Sequence, residues 1–129
     1  MSAARYLSLA LTISWAGVLF YLSSQPSIDT PSLFHGQDKL FHLIAYSVLG
    51  FLGMGAMLIH ESGYRHRQLW LVVLLVVLYG ISDEIHQYFV PGRTMDIYDV
   101  LADSIGGLLG AWVMFFLVRL NWYRLRRDL

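Results

Sequence analysis

Along this chain apolar residues gather in four long blocks, and the breaks between them are short and polar. A helix that crosses a hydrocarbon core of about 30 Å needs about 20 residues, which supplies a ruler for the blocks. By that ruler the predicted helices run over approximately 6–22, 38–60, 68–89 and 96–120. The fold class that follows is all-α: an integral membrane bundle of four transmembrane helices, forming one domain over 1–129. The first block follows a single Arg5 and is short, as in a secretory signal. No Ala-x-Ala-like site comes after it, and its exit, Phe20-Tyr21-Leu22, is bulky, so it is read as a retained helix.

The breaks differ in kind. Ser23-Ser24-Gln25-Pro26 and Thr30-Pro31 stop the first helix, and Asp38 opens the second. The intervening residues carry Ile28, Leu33, Phe34 and His35, so the 23–37 segment either lies on the membrane surface or dips into it as a re-entrant piece. A polar turn from Glu61 to Arg67 leads into the third helix, and Pro91-Gly92 separates the third from the fourth.

Charge changes this picture at one end of the bundle. The third block is free of charge only from Gln68 to Ser82 and the fourth only from Ser104 to Val118, fifteen residues each. At the helical rise that is about 22 Å, too short to span. Each helix must draw in another turn, which brings Asp83, Glu84 and Asp103 to the edge of the hydrocarbon. A charge there costs about 2.5 to 3.5 kcal/mol on insertion scales, so these groups should face other helices or water and call for a function.

Composition agrees with a membrane chain: 57% of residues are hydrophobic and 15% aromatic, with a mean hydropathy of +0.54. Cysteine is absent, which excludes disulfides, iron–sulfur clusters and thiolate metal sites. If four helices alternate, seven of the nine basic residues (Arg5, Arg65, Arg67, Arg119, Arg124, Arg126 and Arg127) share the side of the N- and C-termini. The positive-inside rule makes that side cytoplasmic. The opposite side holds Lys39 and Arg93 against Asp29, Asp38, Asp83, Glu84, Asp96, Asp99 and Asp103, so the polar cluster is expected to open outward.

Helical spacing groups the candidates. Asp38, His42 and Tyr46 recur every four residues and share a face of the second helix, as Asp96, Asp99 and Asp103 do on the fourth. Gly106 and Gly110 continue the latter face, and Gly50 and Gly53 with Met54 and Met57 lie on the second helix, so these two helices are expected to pack closely. Gln87 stands one turn beyond Asp83 and Glu84. Those acids are about 100° apart, so one should enter the cluster and the other face the interface. Simpler roles accompany each residue: Asp38 and Asp96 stand where helix caps occur, Lys39 snorkels, and His42 and Tyr46 satisfy buried neighbours. His35, His60, His66 and His86 fall near the interfaces and are read as solvated.

Two chemistries fit the set. Asp38, His42, Glu84 and Asp103 are candidate ligands of a divalent metal, though no compact motif fixes them. Alternatively Glu84 or His42 acts as general acid or base while Arg93 and Lys39 hold an anionic group. Nothing in the chain has the pattern of a Ser-His-Asp hydrolase, a P-loop or a nucleic-acid surface.

The motifs Ser23-Ser24-Gln25-Pro26, Asp38-Lys39-x-x-His42-x-x-x-Tyr46, Asp83-Glu84-x-x-Gln87-x-Phe89-x-Pro91-Gly92-Arg93 and Asp99-x-x-x-Asp103-x-x-Gly106-x-x-x-Gly110 appear in that order. Together they resemble the VanZ-like family of small bacterial membrane proteins, named after a teicoplanin resistance protein. Where Asp103 stands the family more often has Asn, so a hydrogen-bonding role fits either residue. The resemblance implies a multi-pass protein of the bacterial cytoplasmic membrane with an envelope role, connected in the namesake with tolerance of a lipoglycopeptide. It supplies no reaction.

Three functions are therefore expected in order. The first is a cleft for an anionic amphiphile, an envelope lipid or glycopeptide antibiotic, bound by Asp38, Lys39, Tyr46, Gln87, Arg93, Asp99 and Asp103. The second is a hydrolase or transferase on a lipid-linked envelope precursor using Glu84 and His42. The third is a structural partner of another membrane protein.

Overall fold

The computed structural model describes residues 3–26, 33–58 and 66–127, without the side chains of 4, 5 and 121–127. His60, most of the Glu61 to Arg67 turn and the centre of the 23–37 segment lie outside the described residues. Four helices follow one another: α1 (Ala3–Ser23), α2 (Gln37–Leu58), α3 (His66–Tyr88) and α4 (Ile97–Arg127). All four are long and apolar enough to cross a membrane, and there is no strand among the described residues. The protein is a four-helix membrane bundle.

Local chemistry sets the ends of these helices. At the end of α3 the Phe89 and Val90 N–H groups bond to the carbonyls of His86 and Gln87. Val90-Pro91-Gly92-Arg93 then forms a turn, with the Arg93 N–H donating to the Val90 carbonyl at 3.1 Å and Gly92 at φ 75°. Proline followed by a left-handed glycine is the signature of a type II turn, and the reversal it makes is what sends α4 back along α3. Asp96 caps α4: its Oδ1 accepts the Tyr98 N–H at 2.8 Å, and its carbonyl accepts the N–H groups of Asp99 and Val100. Asp38, by contrast, lies inside the first turn of α2. The flanking position belongs to Gly36, whose carbonyl accepts the Leu40 N–H and whose φ of 82° suits only glycine.

The largest interface joins α2 to α4. A Cβ on Gly50 would overlap the backbone carbonyl of Gly107, and Cβ atoms on Gly106 and Gly110 would overlap the carbonyls of Leu43 and Ser47. The two backbones therefore touch along about two turns, as small residues permit in membranes. Gly53 falls elsewhere, with Val72 of α3 and Thr12 of α1 nearest to its missing side chain. Below the polar end, Tyr46, Leu49, Met54, Val72, Val76, Ala111 and Phe115 form the core.

α1 lies against this core through two polar contacts, Trp15 Nε1–H to the Ala45 carbonyl (2.9 Å) and Tyr79 O–H to the Ala16 carbonyl (2.6 Å). Large apolar side chains such as Ile13, Phe41, Leu74, Leu78, Ile105 and Trp112 point outward on all four helices. A belt of that extent is lipid-facing surface, since soluble monomers rarely expose apolar patches beyond a few hundred Å².

Candidate functional site

The polar end of the bundle, where the link before α2 meets the turn between α3 and α4, contains a cleft of about 1160 Å³. Its walls are mixed. Leu19 and Leu22 of α1 and Phe41 and Ala45 of α2 form an apolar flank, while Asp38, Lys39, His42, Tyr46, Asp83, Gln87, Arg93, Asp96 and Asp99 supply polar groups.

At the rim, Lys39 Nζ meets three carboxylates: Asp38 Oδ2 at 2.8 Å, Asp96 Oδ2 at 2.5 Å and Asp99 Oδ1 at 2.7 Å. The ammonium donates hydrogen bonds to Asp38 and Asp96, and its contact with Asp99 Oδ1 is an ion pair without hydrogen-bond geometry. The Lys39 ammonium, helped by the Tyr98 N–H, holds the Asp96 carboxyl below the usual carboxylate range. Lys39 is thereby withdrawn from the anion-holding role that the sequence suggested for it jointly with Arg93. Arg93 is half-buried on the cleft wall and has no ion pair among the described residues.

Deeper in, one side chain from each of three helices converges. His42 Nδ1 lies 2.9 Å from Asp103 Oδ1, and His42 Nε2 lies 3.8 Å from Asp99 Oδ2. Glu84 Oε2 accepts the backbone N–H of Asp96 at 2.9 Å. One donor atom each from His42, Glu84 and Asp103 lie within 4.8 Å of one another. Asp38, also a candidate ligand on sequence grounds, stands apart from this group with its side chain 62% exposed and paired with Lys39.

Glu84 and Asp103 are 1% and 0% exposed, and Glu84 Oε1, Asp103 Oδ2, Asp83 Oδ1 and the Tyr46 hydroxyl have no hydrogen-bond partner among the described residues. Each such group costs about 1 to 3 kcal/mol when buried unsatisfied. The Tyr46 hydroxyl and Asp83 lie close enough to serve each other, whereas Glu84 Oε1 and Asp103 Oδ2 mark a place whose polar capacity exceeds what the described residues use.

Both acids of the Asp83–Glu84 pair are buried, where one had been expected to face the interface. The 100° between them points them to two sides of the same interior. Glu84 joins α4, and Asp83 receives Gln87 Nε2–H at 3.2 Å and lines the cleft. Tyr46 is fully buried, with its ring 6.4 Å from that of His42 and 6.2 Å from that of Tyr79.

The sequence reading missed Gly80. A Cβ there would lie 3.0 Å from Asp103 Oδ2, so the absent side chain is what admits the α4 carboxylate against α3. A glycine inside a helix one turn before an acidic pair was the available signal. Tyr79, which ties α3 to α1, carried no signal beyond its neighbourhood. Among the histidines read as solvated, His86 bonds to Ser24 Oγ at 2.9 Å and stacks on Phe20, and His66 packs on Phe115.

Neither a curated protein nor a solved structure matches this chain. The family described as VanZ/LLP1 matches residues 8–119, a stretch that contains the cleft, the Lys39 cluster and the buried His42, Glu84 and Asp103. With four membrane helices and a match over most of its length, the chain belongs to the VanZ/LLP1 family.

Proposed function

We propose that the cleft binds an amphiphile of the bacterial envelope, with its anionic group at Arg93 and its apolar part along Leu19, Leu22 and Phe41. The observation that carries this reading is Arg93 itself: a guanidinium with no carboxylate partner among the described residues, on the wall of a cleft that also has an apolar flank. Guanidinium is the side chain best matched to carboxylate and phosphate oxygens, and such a pair strengthens as water is excluded. The clustering of seven arginines at the other end supports an outward-opening cleft, where envelope lipids and a lipoglycopeptide such as teicoplanin would be met.

The test compares a long-chain alkyl phosphate, the matching uncharged alcohol and teicoplanin on nanodisc-embedded protein. The wild type should bind the phosphate at least about tenfold tighter than the alcohol, equivalent to about 1.4 kcal/mol. Arg93→Ala should erase the difference. Equal affinity of Arg93→Ala and wild type for the phosphate would remove Arg93 as the head-group site, and teicoplanin binding decides whether the amphiphile class includes the antibiotic.

A second reading, a hydrolase or transferase acting on a lipid-linked precursor, draws on the buried convergence of His42, Glu84 and Asp103. His42 lines the cleft and its two ring nitrogens face carboxylates, the arrangement of a proton-transferring imidazole held in orientation. Glu84→Gln with His42→Gln should then abolish cellular function in a protein that still folds; full function in a stable double variant excludes catalysis.

A further inference from the structure

Beneath the Arg93 wall, the three side chains that converge from α2, α3 and α4 have the composition and surroundings of a cation site. We propose that His42, Glu84 and Asp103 bind a divalent metal ion of the Zn2+ or Mn2+ class. This inference is independent of the head-group reading and does not use Arg93.

The geometry is the first support. Two ligands, each about 2.1 Å from an ion, lie about 3.0 Å apart at a right angle and about 4.2 Å apart when opposed. His42 Nδ1 and Asp103 Oδ1 are 2.9 Å apart, and the three donor atoms all fall within 4.8 Å. At the outer bound of 4.8 Å the side chains would have to turn inward by a few tenths of an ångström to close on an ion.

The unpartnered oxygens are the second and independent support. Glu84 Oε1 and Asp103 Oδ2 belong to side chains 1% and 0% exposed, yet neither has a hydrogen-bond donor among the described residues. A structural role for these acids would satisfy both oxygens of each. Here one oxygen of Glu84 is fixed by the Asp96 N–H, which leaves Oε1 to spare; between His42 Nδ1 and Asp103 Oδ1 the ion would replace the shared proton, and Asp103 Oδ2 remains as a further acceptor.

The outer layer also fits. Metal-bound histidines commonly direct their other ring nitrogen at a carboxylate, and His42 Nε2 faces Asp99 Oδ2 at 3.8 Å. Asp99 is in turn held by Lys39 at 2.7 Å. The ligand set of one neutral imidazole and two carboxylates carries a charge of minus two, which a divalent ion cancels. Imidazole favours Zn2+ and its neighbours while carboxylates suit Mn2+, and the absence of thiolates speaks against soft ions. Because His42 lines the cleft, an ion has a path in from its open end.

The alternative is a closed internal network, with imidazolium between Asp103 and Asp99 and a protonated Glu84. The experiment separates the two. The full chain, carrying a tag without histidine, is purified in nanodiscs, stripped with chelator, reloaded separately with Zn2+, Mn2+ and Co2+, and its metal content measured after gel filtration. About one ion per chain is expected, with a rise in melting temperature as the ion is added.

Glu84→Gln, Asp103→Asn and His42→Gln should each weaken binding at least tenfold, and Asp99→Asn about 10- to 100-fold through orientation. Arg93→Ala should keep the ion, which distinguishes failure here from failure of the head-group reading. X-ray absorption of the loaded wild type adds a measurement that no variant's misfolding can confuse, and should show one imidazole with oxygen neighbours. A wild type that retains none of the three ions overturns the proposal. So does wild-type metal content in folded Glu84→Gln and Asp103→Asn, or an oxygen-only shell.

Discussion

Lys39 carries three aspartates, and so decides how the rim of the cleft responds to acid. Asp96, which faces Lys39 together with Asp38 and Asp99, has its carboxyl held below the usual range, chiefly by the Lys39 ammonium and then by the Tyr98 N–H. A lowered folded-state value means that its contribution is present at neutral pH. That contribution is lost as the pH falls below the unfolded carboxylate value of about 3.9 toward the lower folded one. Melting temperature measured against pH should therefore drop on acidification from about pH 4 downward. In Lys39→Met the protein should melt about 5 °C lower at pH 7, because three carboxylates then face one another, and the acid-linked drop should flatten. An unchanged acid slope in that variant would show that Lys39 does not set the Asp96 proton affinity. At this scale the sequence identified the participants but not their pairings. Lys39 and Arg93 look equivalent as basic residues at one end of the bundle, yet among the described residues one is enclosed by acids from two helices and the other is not.

At the scale of the helices, the seam between α2 and α4 has no room for a single added carbon. Gly50→Ala or Gly106→Ala would push a methyl into the facing backbone, which cannot rotate away as a side chain can. Each should destabilise the bundle by about 1 to 3 kcal/mol, as overpacking does, measured by unfolding in mixed detergent. Gly17→Ala in α1 has nothing within 4 Å of the new carbon and should change stability by no more than about 1 kcal/mol. Gly53→Ala, at 3.5 Å from Val72 Cγ1, should also be tolerated. Equal losses at Gly17 and Gly50 would mean that the seam is not where the packing is tightest. Glycine spacing indicated which two helices approach, because residues three and four apart share a face. It assigned Gly53 to that seam and overlooked Gly107, since α2 presents Gly50 and Gly53 to different neighbours, and only the rotation of the helix about its axis separates them.

For the whole molecule the open question with a decisive measurement is which way the cleft faces. The chain has no cysteine, so single replacements report cleanly. Met95→Cys, exposed beside the cleft, should react with a membrane-impermeant maleimide in intact spheroplasts, while His66→Cys, at the opposite end, should react only after permeabilisation. The reverse pattern would turn the molecule over and place the cleft on the cytoplasmic side, against the distribution of its basic residues.

Hydropathy, charge-free length and turn chemistry belong to residues close together in the chain, and so four membrane spans, the Pro91-Gly92 reversal and the gathering of ionisable groups at one end were readable before any fold was known. Contacts between helices are of another kind. That Glu84 meets His42 and Asp103, that Asp83 turns to the cleft, that Gly80 admits a carboxylate and that Lys39 is enclosed by aspartates while Arg93 has none among the described residues all depend on helix rotation and crossing. Rotation and crossing are set by close packing at Gly50, Gly106 and Gly110, whose helical spacing shows which faces approach but not the register and angle at which they meet.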